Sequence, residues 1–178
     1  MKKKINLIFI ALLMTALIAG CSSKIEDELV TLQNDMKENV GDSMADVADE
    51  FEQKGIDVEN GDISPDEFLT YYDEEVQPVI NEKRKYIADY EAPSTDEAKE
   101  YHDVLTDGMI LALDVIEDSA GLMIALLDDS ISEEEFFEKG DELEQVVDEL
   151  EAKDEEILSL QKELEDEYNV EFEDIDLE

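Results

Sequence analysis

Apolar residues recurring every three or four positions, from Ile25 to Leu164, restrict this chain to amphipathic helices sharing one core. In the first segment Ile25, Leu29, Leu32, Met36, Val40, Met44, Val47 and Phe51 form one stripe, interrupted at modest cost by Gly41. Lys54-Gly55 is placed to end that helix, with glycine at the C-cap, and residues 56–62 read as a polar loop. Ser64-Pro65-Asp66-Glu67 then supplies an N-cap serine, proline in the first turn and a glutamate three residues after the cap. The stripe of this second helix is Phe68, Tyr72, Val76, Val79, Tyr86 and Tyr90, widened by Tyr71, Ile80 and Ile87. Pro78 lies inside it and is expected to kink or split the helix, and Ala92-Pro93 stops it.

Ser94 and Glu97 are spaced as a second capping box at the start of a third helix carrying Ala98, Tyr101, Leu105, Met109, Ala112, Ile116, Met123 and Leu127. From Met109 to Leu127 that helix is apolar nearly all round, the pattern of the most buried helix or of one with a second face for a partner. Its interior acids, Asp114 and Glu117-Asp118, argue against a membrane span. Asp128-Asp129-Ser130 is a turn. Ser132 and Glu135 cap a fourth helix with Phe136, Leu143, Val147, Leu150, Ile157, Leu160 and Leu164 inside. Residues 169–178 read as an acidic C-terminal tail held loosely by Phe172. Four helices with short connections predict an all-α chain, an antiparallel four-helix bundle over residues 25–168. Ile63–Phe68 and Ile131–Phe136 match at four of six positions, and two well-made helix starts account for this more simply than duplication does.

Ahead of the bundle, Lys2-Lys3-Lys4 is followed by an apolar run from Ile5 to Ala19 and the chain's one cysteine. A basic region, an apolar region and small residues at a cut describe a secretory signal. Leu17-Ile18-Ala19-Gly20-Cys21 resembles the lipobox of bacterial prelipoproteins. That resemblance implies a cleaved signal peptide over residues 1–20, a diacylglycerol on Cys21, and a short tether over 21–24. It implies attachment to the lipid bilayer at the extracytoplasmic face of the cell membrane. The mature part resembles small helical lipoproteins of Gram-positive bacteria, with no motif that selects one family.

Charge narrows the partners. The chain has 53 acidic and 13 basic residues, a net −40, and losing the signal's three lysines makes it −43. Such a field repels nucleic acid and attracts cations and basic polypeptides. Crowded carboxylates are also expected to raise one another's pKa. With Cys21 acylated, no thiol is left for a disulfide or a thiolate metal site.

The motifs that carry chemistry elsewhere are incomplete here. Gly61 to Phe68 resembles the second half of an EF-hand loop, with Glu67 at the bidentate position. Counting back from Gly61 puts Ile56 and Val58 where the first two ligands belong. Asp57, Glu59, Asp62 and Glu67 are therefore read as weak calcium-site candidates rather than a true site. His102 is the one histidine, and Lys99 stands where a di-iron bundle needs glutamate. Lys83-Arg84-Lys85 is read as neutralising neighbouring acidic helices, and Tyr71, Tyr72, Tyr86, Tyr90 and Tyr101 as packing residues. No catalytic residue and no cofactor is assigned. The function expected is a membrane-anchored, non-enzymatic binding or interaction module of the cell envelope, with an envelope protein or basic polypeptide as partner. The alternatives are an acidic cation-buffering or halotolerance surface protein and, more remotely, a carboxylate-dependent envelope hydrolase.

Overall fold

The computed structural model describes residues 23–127, 130–168 and 170–172. Those residues form four long helices and no strand: α1 over residues 23–60, α2 over residues 65–89, α3 (Asp96–Leu127) and α4 (Glu133–Tyr168). No helix among the described residues is long and apolar enough to cross a membrane. Residues 1–22, which include the expected signal and Cys21, lie outside the described residues, as do Asp128, Asp129, Asn169 and residues 173–178.

The predicted stripes supply the core except in the first half of α4, where Phe136, Leu143 and Val147 are only half-buried. Leu29, Leu32, Met36 and Val40 of α1 are buried with Phe68, Tyr72, Val76 and Ile80 of α2 and Tyr101, Leu105, Met109 and Leu113 of α3. From α4 come Leu150, Ile157 and Leu164. Aromatic rings join the elements. Phe51 packs on Phe68 with ring centroids 5.2 Å apart, and Tyr90 stacks on His102 at 5.9 Å. Tyr101 meets Phe172 at 5.0 Å, so the first residues past α4 fold back onto α3 beside buried Val170.

Two helices are locally widened. Lys37–Gly41 in α1 and Tyr72–Val76 in α2 are π-helical, each closed by an amide that reaches five residues back (Asp42 to the Lys37 carbonyl, Gln77 to that of Tyr72). Both lie within runs of three successive spacings of four: Leu32, Met36, Val40, Met44 and Phe68, Tyr72, Val76, Ile80. At about 100° per residue, twelve residues of α-helix overshoot a whole number of turns by roughly 120°. One π turn absorbs most of that drift and keeps all four side chains inward. α3 carries a similar run without a π turn. It is buried more broadly, at Thr106 and Gly108 as well, so the drift stays within its packed surface.

The predicted boundaries need three corrections. Pro78 does not split α2: the π turn directly before it supplies the extra residue, and proline sits at the start of the resumed α-helix. Gly55 does not end α1, because the helix runs on through the expected loop to Asn60. Gly61 ends it at φ 76°, in the left-handed region that glycine enters without strain. Gly55 instead permits close packing, since a Cβ there would stand 3.3 Å from the Met123 Cε atom. The third correction concerns Ser94 and Glu97, which make no capping box.

Candidate functional site

The start of α3 is capped from another helix. Glu28 of α1 accepts hydrogen bonds from the Ser94 amide (3.1 Å) and hydroxyl (2.5 Å) and from the Thr95 amide (2.8 Å) and hydroxyl (2.7 Å). Lys24 flanks it at 3.6 Å and also donates to the Ser94 hydroxyl. The Ser94 hydroxyl, with the Thr95 groups and Lys24, outweighs burial and holds the Glu28 carboxyl at about 2. Glu97, the expected box partner, accepts from the Tyr168 hydroxyl at 3.4 Å.

At the α1–α2 joint, the cation-site candidates serve the turn. The Asp57 carbonyl accepts the amides of Asp62 (2.8 Å) and Ile63 (3.3 Å), and its carboxylate accepts from Gln53 (2.9 Å). Glu67 closes a complete capping box, accepting from the Ser64 amide and hydroxyl at 2.8 Å each, and the amide bond above all lowers its pKa. Asp62 is exposed. Glu59 lies on the last turn of α1, with its side chain outside the described part. Among the described residues no group of three or more His, Cys, Asp or Glu is arranged to hold a metal ion. Ser132 and Glu135 repeat the Ser64–Glu67 box, at 2.9 Å for both bonds to the carboxylate. The four positions shared by the two segments are this box plus Ile63/Phe68 and Ile131/Phe136 at hydrophobic-staple positions. Local capping chemistry accounts for all four.

The basic cluster is taken up by acids. Arg84 bridges Asp114 and Glu117 of α3 at 2.6 Å each. Burial works against its charge, but the two carboxylates prevail and raise its pKa. Lys85 pairs with Asp89, and Lys83, nearly buried, lies 3.5 Å from Glu82. Of the tyrosines, Tyr72 and Tyr101 are in the core and Tyr71, Tyr86 and Tyr90 are half-buried. Burial pushes the Tyr101 hydroxyl up to about 12 although Gln161 of α4 donates to it at 2.8 Å. Tyr90 donates to Asp35 of α1 at 2.9 Å, and burial with that bond raises its pKa. His102 Nδ1 lies 2.9 Å from Asp103, and its Nε2 is buried without a hydrogen-bond partner.

An apolar hollow lies elsewhere, between α1, α3 and α4, with a volume of about 510 Å³. Its floor is Val40, Met44, Met109, Leu113 and Ile116, with Val147 and Leu150 from α4. It is open because the facing positions are small: Gly41, Ala45 and Ala48 on α1, and Ala112 on α3. Acids stand at its edges, Asp49 on α1 and Glu151 and Asp154 on α4. A second cleft of about 670 Å³ between α2, α3 and α4 is more polar, with Glu117, Asp118, Lys139 and Glu142 among its lining. Both border α4, in which none of the described side chains before Leu150 is buried.

The hollow is the site that the apolar stripe alone does not disclose. Its sequence signal is a second stripe of small residues, Gly41, Ala45 and Ala48, beside the large one. The all-round apolar half of α3 is the other half of that signal, since Ala112, Val115 and Ile116 face the hollow. No protein-family model matches the sequence, and no curated protein and no solved structure is similar to it.

Proposed function

We propose that this chain is a cell-envelope lipoprotein, anchored through diacylglycerol on Cys21, whose antiparallel four-helix bundle is a non-enzymatic binding module. The observation that carries the binding reading is the apolar groove between α1, α3 and α4, on a molecule whose net charge is −40. A sizeable concave apolar surface among charged faces is the usual form of a recognition site. The up-down-up-down order is supported by pairs that match early with late positions between successive helices. Asp35 of α1 meets Tyr90 at the end of α2, Tyr90 also stacks on His102 near the start of α3, and Tyr101 of α3 meets Gln161 of α4. Glu28 with Ser94 and Thr95 likewise brings the starts of α1 and α3 together.

The anchor rests on the lipobox-like sequence Leu17-Ile18-Ala19-Gly20-Cys21. α1 is already helical at residue 23, so the tether is very short and the start of α1 stays at the membrane. At about 1.5 Å per helical residue, the groove (Val40 to Asp49) begins roughly 25 Å and ends roughly 40 Å from that end.

Metabolic labelling with an alkyne palmitate analogue, followed by crosslinking of intact cells and mass spectrometry, tests both halves. The wild type should take the label, Cys21→Ala should not, and the labelled protein should crosslink to an envelope protein. Label on the variant overturns the anchor. A wild type with no crosslinked protein overturns the binding module.

A further inference from the structure

Building on that reading, we infer that the groove between α1, α3 and α4 receives a basic amphipathic helix. Its apolar face would lie on Met44, Met109 and Ile116, and its cationic flanks would meet Asp49 and Glu151. Length and charge choose this occupant. The groove spans Val40 to Asp49 on α1 and Val147 to Asp154 on α4, about two helical turns. A helix that presents anchors at i, i+3, i+4 and i+7 needs roughly 10 Å of apolar floor, which this provides.

The floor suits a helix face. Met44 and Met109 carry unbranched, polarisable side chains that adjust to the shape of a partner. The alanines at 45, 48 and 112 let a backbone approach closely. Acids stand on both walls: Asp49 and Glu151 are exposed at opposite edges, so an occupant with cationic residues on each flank of its apolar stripe finds a carboxylate on either side.

The same charges reject the other candidates. A second copy of this chain would set acidic helix faces against acidic walls at a net −40 per subunit. A fatty acid would bring a carboxylate into that field. Anionic bilayer lipid would meet the same repulsion from Asp49 and Glu151. Electrostatic attraction would speed the encounter, and the apolar floor would set the register.

The test uses the full-length acylated protein in phosphatidylcholine nanodiscs, with empty nanodiscs as the blank. The probe is a fluorescein-labelled fourteen-residue peptide with leucine at i, i+3, i+4 and i+7 and lysine on the flanks, followed by anisotropy. Ala48→Trp and Ala112→Trp each fill the hollow from a half-exposed position, and circular dichroism checks that the variants stay helical. Either plug should weaken binding at least tenfold. Glu151→Gln should weaken it about threefold, and Glu163→Gln, an exposed acid remote from the groove, should leave it unchanged. Equal affinity in both folded plug variants, with Glu163→Gln as damaging as Glu151→Gln, would show only generic attraction to the acidic surface and overturn the proposal. Displacement of the peptide by a fluorescent sixteen-carbon fatty acid at lower concentration would overturn it in favour of a lipid. Repeating the intact-cell crosslinking with Ala48→Trp separates the two levels. An envelope protein captured equally by wild type and Ala48→Trp sinks the groove assignment alone, whereas no capture by the wild type sinks the binding reading beneath it.

Discussion

At the scale of single residues, Glu28 decides how α3 begins. A capping box is local chemistry, and Ser64/Glu67 and Ser132/Glu135 form as their spacing predicts. Ser94/Glu97 has the same spacing and fails, because a carboxylate 66 positions earlier in sequence already occupies the Ser94 donors. No local pattern reports a partner on another helix, so this contact was not legible in the sequence. Glu28→Gln should cost about 2 kcal/mol, as charged hydrogen bonds of this kind contribute roughly 1.5–3 kcal/mol and an amide turns one acceptor into a donor facing donors. In a chain of this size that lowers the melting temperature by about 4–8 °C. The folded carboxyl titrates at about 2, below its ordinary 4.5. Its stabilisation is therefore complete above pH 4.5 and lost as pH falls towards 2. Thermal melts of wild type and Glu28→Gln should differ at pH 7 and converge between pH 4.5 and pH 2. A gap that persists at pH 2 would mean the variant acts through packing rather than charge.

At the scale of elements, the stripes anticipate the buried residues of α1, α2 and the first half of α3, whereas Phe136, Leu143 and Val147 of α4 stay half-buried and the helix ends slipped. α1 runs past Gly55 because that glycine is used sideways, for contact with Met123, and only Gly61 takes the left-handed turn. Both readings of a glycine look alike until the neighbouring helix is in place. The π turns were more legible than Gly55. Successive spacings of four exceed the α-helical period, so the stripe stays in the core either by widening a turn, as in α1 and α2, or by burial broad enough to take up the drift, as in α3. The second π turn also accommodates Pro78, so one feature answers two local problems. If the π turn of α1 holds one residue more than an α-helix needs, deleting Asn39 should convert it to regular helix with Leu32, Met36, Val40 and Met44 still inward. The cost should be about 1 kcal/mol or less, apart from the Asn39 side-chain bond to the Asp35 carbonyl (2.8 Å). Deleting exposed Asp107 from regular α3 has no such slack. It should rotate everything after it by about 100° and abolish cooperative unfolding. Chemical denaturation of the two deletions decides this, and equal damage from both would show that the π turn carries no spare residue.

At the scale of the whole molecule, 13 bases cannot offset 53 acids. Arg84 shows what pairing does where it is available, tying Asp114 and Glu117 of α3 to α2. Most of the other described acids are exposed on the helices, where ionic strength governs their mutual repulsion. The Debye length is about 30 Å at 0.01 M and about 3 Å at 1 M, so nearly all of these charges interact in dilute buffer and few do in concentrated salt. The melting temperature should accordingly rise markedly between 0.01 M and 1 M sodium chloride, since a compact chain suffers more self-repulsion than an expanded one. The pH dependence differs from what crowding alone implies. Glu28, Glu67 and Glu135 shift down rather than up, because serine and threonine donors hold their carboxylates charged. These contacts are hydrogen bonds at 3.3 Å or less and are not screened by salt as distant charges are. Their contribution is present above the ordinary carboxylate range and lost below it, the reverse of repulsion relieved by protonation. High salt separates the two effects. In 1 M sodium chloride the melting temperature should be level between pH 7 and pH 5 and fall below about pH 4.5, as the caps protonate. In 0.01 M salt it should first rise on acidification, while repulsion is still being removed. Circular dichroism melts over that grid would settle the matter. A rise below pH 4.5 in 1 M salt would mean that the caps contribute little and that repulsion between acids alone sets the stability of the fold.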